Sequence, residues 1–273
     1  MRPDEFTRMT LTVDRGVGLI TLNRPERRNA WAGSTAAEYR WALHLCETDP
    51  KVKVVVLTGE GDFCVGADSE LLDDIGAAGG DYTVTKVELP PYPAGTPTEL
   101  RHNHVYPMTL SVPIVAAIRG GCAGAGFLVA TYADLRFVGE SAKIASSFAG
   151  LGLPAEYGMA WLLPRMVGIP NAAQLIYSAT AISAQRSAEL GWAQRICPDE
   201  VVVEDALAFA RGLAVSSSGE SLRMIKRQLF VDSMLGIDEA YRRSVADMNG
   251  ALNTADFKEG VRALREKRQP NFV

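Results

Sequence analysis

The sequence predicts an α/β layered domain that ends in an all-helical region, on three observations. Short, continuously apolar runs such as "VKVVVLTG" and "VPIVAAIRG" have the length and composition of strands covered on both faces. Stretches with helical spacing alternate with them, which is the pattern of a layered α/β body. Beyond Pro198 the strand signals stop and amphipathic helical spacing continues to the end.

The elements follow in order. "MTLTVDRGVGLITLN" alternates apolar and polar residues on both sides of Asp14-Arg15-Gly16, the chemistry of a hairpin with two strands. From Ser34 to Thr48, Ala37, Trp41 and Leu45 recur at helical spacing behind a serine cap. "LRFVGESAKIAS" offers two more short strands. Between Gly76 and Pro97 the chain turns to Gly, Pro and polar residues, and a loop that long is either disordered or a lid over a site. Val203, Leu207, Ala210 and Ala214, then Leu222, Ile225 and Leu229, mark helices whose apolar stripes need the main body or another subunit to cover them.

A chain of 273 residues buries a substantial core in one large domain or a domain plus an appendage. With 47% hydrophobic and 22% charged residues it has a globular composition, and a net charge of -4 gives no electrostatic reason to expect nucleic acid or an anionic membrane as partner. "MRPDEFTRMT" has no apolar segment of a secretory signal, and the uncharged run Gly120 to Ala133 is shorter than the roughly 18–20 residues of a membrane span. The expectation is a cytoplasmic protein. Cys46, Cys64, Cys122 and Cys197 are scattered without a Cys-x-x-Cys pair and read as buried free thiols, with no metal site expected. No His-Glu-x-x-His, Gly-x-Ser-x-Gly or Gly-Lys-Ser/Thr signature occurs.

"IRGGCAGAGFLVATYADLRF" places Gly120, Gly121, Gly124 and Gly126 between a strand and a helix. Such glycines allow a tight turn, close backbone approach to a ligand and free amides at a helix start. The dinucleotide spacing Gly-x-Gly-x-x-Gly is not met, which leaves an oxyanion hole, two amides that stabilise charge developing on a carbonyl oxygen. A second amide is supplied by "GEGDFCVGADSELLDD", where a strand ends and a helix begins near Asp68, so that Ala67 presents its N–H beside a helix start.

In order and spacing, "LITLNRPERRNAW", "DFCVGADSELL", "VPIVAAIRGGCAGAGFLVATYADLRF", "WLLPRMVG" and "ADFKEGVRALREKRQPNF" resemble the crotonase, or enoyl-CoA hydratase/isomerase, superfamily. The resemblance covers nearly the whole chain apart from the Gly76–Pro97 region. It implies a crotonase-like ββα spiral core over residues 1–200 that holds an acyl-CoA site, and a C-terminal helical trimerisation subdomain over 201–273. It also implies a homotrimer, or a hexamer built as a dimer of trimers. The substrate would be a CoA thioester, with no separate cofactor. The resemblance puts the oxyanion amides at Ala67 and Ala125, the latter in place of the usual glycine, and CoA contacts at Arg27, Arg28, Ala30, Ala67 and Asp68. Glu70 stands where many relatives carry a lysine for the CoA phosphates.

Hydratases of the family use two glutamates; the corresponding positions here are Leu128 and Phe148, so a two-glutamate hydration is not supported. One carboxylate remains in register. Glu156, in "LGLPAEYGMAWLLPR", occupies a position where isomerase-like members keep a working acid, although a glutamate at a helix start also suits the helix dipole. One carboxylate beside an oxyanion hole can move a proton between two carbons, which is double-bond isomerisation. The alternatives are a hydratase with a non-standard acid/base and a non-catalytic acyl-CoA-binding protein. His102 and His104, in a predicted helix "TELRHNHVYPMTLSVP", and Tyr157 are further candidates for an acid, base or donor; Asp134 reads as structural, and Glu47 and Glu140 as solvated.

Overall fold

The computed structural model describes residues 1–77 and 88–272. Its strands are β1 (Met9–Asp14), β2 (Val17–Leu22), β3 (Val54–Gly59), β4 (Ile114–Ile118), β5 (Gly121–Ala123), β6 (Leu135–Gly139), β7 (Lys143–Ala145), β8 (Ile182–Ser183) and β9 (Arg195–Cys197). The main sheet runs β1-β2-β3-β4-β6-β9, and β5, β7 and β8 form a second, smaller one. Only the β1–β2 hairpin is antiparallel in the main sheet. Its two-residue turn holds Arg15 at φ 47° and Gly16 at φ 80°, the left-handed pair that matches the twist of a tight hairpin.

The helices are α1 (Thr35–Thr48), α2 (Ser69–Ala77), α3 (Tyr106–Thr109), α4 (Ala125–Thr131), α5 (Met159–Val167) and α6 (Ile169–Tyr177). They continue with α7 (Ala184–Glu189), α8 (Val202–Ser216), α9 (Gly219–Phe230), α10 (Ile237–Ala251) and α11 (Ala255–Glu266). No helix among the described residues is long and apolar enough to cross a membrane.

β3 and β4 are buried at every position because their side chains alternate between two cores. Val54 and Val56 join Val17, Val115, Ala117 and Phe137 under Val202, Ala206 and Ala210 of α8. Val55 and Leu57 face the other way, with Ile20, Ile114, Ala116 and Ile118, against Ala42, Leu43 and Cys46 of α1. Thus α8, the first helix of the 201–273 stretch, packs on the sheet and shares its core. The stripe on α9 behaves differently: Ile225 and Leu229 are exposed, as are Ile237 and Tyr241 on α10, which buries none of its residues.

Several local expectations are corrected. Ser34 precedes α1 in a helical conformation and its side chain caps nothing; Thr35, whose Oγ accepts from Ala32 N–H, closes that turn instead. Trp41 and Leu45 are half-buried, and the buried face of α1 runs through Ala42, Leu43 and Cys46. The predicted helix "TELRHNHVYPMTLSVP" is two 3-10 turns, Thr98–Leu100 and Asn103–Val105, followed by the single turn of α3. Glu47 is not solvated: its carboxylate accepts from Ser111 N–H at 3.0 Å, Ser111 Oγ at 2.6 Å and Val112 N–H at 3.2 Å. Of the loop predicted over Gly76–Pro97, residues 78–87 lie outside the described residues.

β4, β5 and α4, then β6, β7 and the helices after them, repeat a strand–strand–helix turn that passes the chain between the two sheets. Asp134 closes one such turn from inside. Its Oδ2 accepts from Ile114 N–H at the start of β4 and from Lys226 Nζ of α9 at 2.9 Å, and Lys226 also donates to Val112 O at 2.9 Å. Lys226 is 3% exposed, so its removal leaves the Asp134 charge desolvated and unpaired. Lys226→Met should cost about 3–5 kcal/mol of stability, read as a lowered denaturant midpoint with an unchanged slope.

Candidate active site

Two loops meet beyond the carboxyl ends of the adjacent interior strands β3 and β4. Cys64 and Cys122 form a parallel bridge: Cys64 N–H donates to Gly121 O at 3.0 Å, and Ala123 N–H donates to Cys64 O at 2.9 Å. Two residues on, Gly66 (φ 111°) and Gly124 (φ 48°) touch. A Cβ added to Gly124 would sit 3.4 Å from the Gly66 Cα, and one added to Gly66 would sit 3.5 Å from Ala123 O. Ala67 and Ala125 are the residues that directly follow these two glycines.

The direction of their amides follows from neighbouring bonds. Trp31 N–H donates to Gly66 O at 2.7 Å and Asp68 N–H donates to Trp31 O at 2.9 Å, so the Ala67 N–H, by strand alternation, points away from Trp31. Ala125 is the first residue of α4, where an amide has no intrahelical acceptor. Among the described residues neither N–H donates to a backbone carbonyl, whereas Gly124 N–H is taken by Ala145 O. Gly126 has no room for a side chain: a Cβ there would fall 2.2 Å from Cys64 O.

α4 is fixed at its far end. The buried guanidinium of Arg136 donates to the carbonyls of Ala130 (3.2 Å), Ala133 (2.7 Å) and Trp192 (2.6 Å). Trp192 stacks on Phe127 and donates through Nε1 to Thr131 Oγ at 3.0 Å. Leu128 and Phe148, at the two positions where the resemblance would place glutamates, are buried in the main core.

Tyr132 follows α4, and its hydroxyl donates to Tyr157 O at 2.6 Å. The seven residues of α4 rise about 10 Å, so this helix spaces the Ala125 amide from the loop that carries Glu156. Glu156 is half-buried, and burial raises its carboxyl above the ordinary 4.5. His104 lies with its ring stacked on Tyr157 at 3.7 Å between centroids, and burial pushes its imidazole down to about 4, so it is neutral at physiological pH. His102 is exposed.

A profile described as enoyl-CoA hydratase/isomerase matches residues 12–273. The chain belongs to the enoyl-CoA hydratase/isomerase family. It is 32% identical over 270 residues to the 1,2-epoxyphenylacetyl-CoA isomerase of Escherichia coli (strain K12), covering 96% of each chain. It is 28% identical over 271 residues to the trans-2-decenoyl-[acyl-carrier-protein] isomerase of Streptococcus mutans, covering 98% of this chain and 99% of that one. Among solved structures, an enoyl-CoA hydratase/isomerase from Mycobacterium paratuberculosis superposes with a TM-score of 0.82 at 28% identity, covering 98% of this chain and 99% of that one. The mixed α/β fold is therefore that of the crotonases, and the chain is one of a family of enzymes.

The residues that the resemblance assigns to CoA are gathered at the loop that carries Ala67 and are tied to it by ion pairs. Arg28 donates to Asp62 at 2.7 Å and 3.3 Å, and Asp62 in turn accepts from Gly121 N–H in the second loop. Arg27 forms an exposed pair with Glu70 at 3.1 Å. Asp68 pairs with the nearly buried Arg24 at 3.3 Å, and Arg24 also donates to Ala30 O at 3.0 Å. Sequence reasoning missed Arg24, Asp62 and Arg136, and it placed Asn29 beside the arginines without its structural role. Asn29 (φ 55°) is buried and donates to Glu60 O and Asp62 O while accepting from Arg24 N–H. The signal for it was an asparagine after an arginine run, a residue that tolerates the left-handed turn.

Asp62 joins both loops, and its carboxyl is held below the ordinary 3.8, first by the Arg28 hydrogen bond, against burial, with help from Gly121 N–H and the Arg28 charge. The folded carboxyl titrates below the unfolded one, so its contribution to stability is complete above about pH 4 and is lost as pH falls through the folded value. Asp62→Asn should remove that part of the acid slope, measured as denaturant midpoints between pH 2 and 6.

Proposed function

We propose that the protein binds an acyl-CoA thioester with its carbonyl oxygen between the Ala67 and Ala125 N–H groups, and that Glu156 shifts the double bond of the acyl chain. The observation that supports this reading is that the Cys64–Cys122 bridge joins the two loops and that, among the described residues, neither the Ala67 nor the Ala125 N–H donates to a backbone carbonyl. An α-proton of a thioester becomes acidic enough for a carboxylate only if the oxyanion of the enolate is stabilised, and one such donor contributes about 2.7–4 kcal/mol. Glu156, ionised, takes the proton from one carbon; the enolate collapses with the double bond moved, and the same carboxyl returns the proton to the other carbon. No water is activated, which agrees with the apolar Leu128 and Phe148. The isomerase names of the Escherichia coli and Streptococcus mutans relatives support the same chemistry.

Partial burial suits Glu156 to this role because a raised pKa makes a stronger base. Arg27, exposed in its pair with Glu70, is placed to exchange that partner for a phosphate of CoA, and Arg28 lies beside it. The CoA thioester is substrate, and no separate cofactor takes part. A homotrimer, single or paired into a hexamer, and a cytoplasmic location belong to the same proposal; the exposed apolar residues of α9 and α10 support coverage of these helices by another subunit.

Incubation of the protein with 2-enoyl- and 3-enoyl-CoA thioesters in deuterated water reads the reaction directly. Deuterium uptake with double-bond migration is expected, and Glu156→Gln should slow both by about 10²–10⁴-fold while leaving acyl-CoA affinity within a few-fold. The acidic limb of kcat should fall with an apparent pKa above 4.5, since the base works only when ionised. A mass gain of one water would instead support the hydratase reading, and binding without exchange would support a non-catalytic binder.

A further inference from the structure

Tyr157 has an aromatic side chain on a left-handed backbone, φ 49°, a conformation that bulky residues rarely adopt and that persists only where the surroundings hold it. Two contacts from different elements hold it. From below, Tyr132 at the end of α4 donates its hydroxyl to the Tyr157 carbonyl at 2.6 Å. A Cβ added to Gly158 would fall 2.9 Å from that same hydroxyl, so a glycine is required where Tyr132 reaches in. From the side, His104 lays its ring on the Tyr157 ring at 3.7 Å and 28°.

His104 is itself anchored. The preceding residue, Asn103, accepts from the buried Arg40 of α1 at 2.6 Å, and Arg40 lies over the rings of Tyr92 and Tyr106. A continuous line of contacts therefore runs from α1 through Arg40, Asn103 and His104 to Tyr157. A second runs from the oxyanion helix α4 through Tyr132 to the same residue. Glu156 is the residue immediately before Tyr157, so both lines end one residue from the one that carries the carboxylate.

We infer that His104 and Tyr132 are positioning residues that clamp Tyr157 and thereby fix Glu156 relative to the oxyanion amides. The inference rests on the reading of Glu156 as the base. It gives the Tyr132 hydroxyl and the His104 ring a role in which neither touches substrate, and it assigns His104 no proton transfer. Among the described residues, the titratable groups at the clamp are the neutral His104, the phenols of Tyr132 and Tyr157, and the carboxyl of Glu156.

The test uses the full chain with Tyr132→Phe, which removes one oxygen, His104→Ala, which removes the stacked ring, and His104→Phe, which keeps a ring. The Glu156 carboxyl is followed by carbon-13 titration, assigned by its disappearance in Glu156→Gln, and deuterium exchange into the responsive enoyl-CoA is measured at saturation and below it. Tyr132→Phe and His104→Ala should each lower the Glu156 pKa toward the ordinary carboxylate value. Each should also slow exchange at saturation by about tenfold or more, with KM within about twofold, because a small misplacement of a reacting group is costly. His104→Phe should recover most of the loss. If both variants leave the titration and the saturated rate unchanged while Glu156→Gln is inactive, the clamp is refuted and the base reading stands. If Glu156→Gln exchanges deuterium as fast as the native protein, the base reading falls and the clamp falls with it.

Discussion

The contact between Gly66 and Gly124 is the constraint on which the site depends. Two backbones come together there, with a Cβ on Gly124 falling 3.4 Å from the Gly66 Cα, and the left-handed φ of 48° is what calls for glycine at 124. The Cys64–Cys122 bridge joins the two loops, and among the described residues the amides of the residues that follow the glycines, Ala67 and Ala125, donate to no backbone carbonyl. Nothing in this arrangement requires a particular side chain at either position, which explains why alanine in place of glycine at position 125 leaves the geometry available. What the arrangement does require is glycine at 124 and 126, for conformation at the first and for space at the second.

Around that contact the molecule spends its polar interactions on holding two loops and one helix still. Arg28, Asp62 and Gly121 link the first loop to the second, while Arg24, Asp68 and Ala30 brace the first from the other side. Arg136 takes up the carbonyls at the far end of α4, a task a planar guanidinium with five donors suits better than an ammonium would. The arginines of "RPERRNA" thus have structural partners, and binding of an anionic ligand there must compete with Glu70 and Asp62 for the same guanidinium groups.

Much of the fold was legible because burial on both faces writes a continuous apolar run, as in β3 and β4, and because Arg15-Gly16 carries its own turn chemistry. The close approach of the two glycine-bearing loops, through the Cys64–Cys122 bridge, was foreshadowed by their glycines and by the family resemblance together. The ion pairs were not: Arg28 and Asp62 are 34 residues apart, and no local pattern says which charge meets which. Glu47 was misread for the same reason, its partners Ser111 and Val112 being 64 and 65 residues away. The segment 98–109 misled because Pro107 and the pairing of Asn103 with Arg40 break a stretch whose composition suits a helix. Helix α8 has the same amphipathic spacing as α9, and only the tertiary structure separates a stripe covered by the sheet from one left exposed.

The central claim is that two backbone amides polarise a thioester carbonyl. Isotope-edited infrared difference spectroscopy of an acyl-CoA carrying a carbon-13 thioester carbonyl, bound to the Glu156→Gln protein so that no turnover intervenes, measures that polarisation directly. The account predicts a carbonyl stretch shifted to lower frequency than in water, as two aligned donors in a water-poor site require. A band at or above the aqueous position, with binding verified in the same sample, would contradict it.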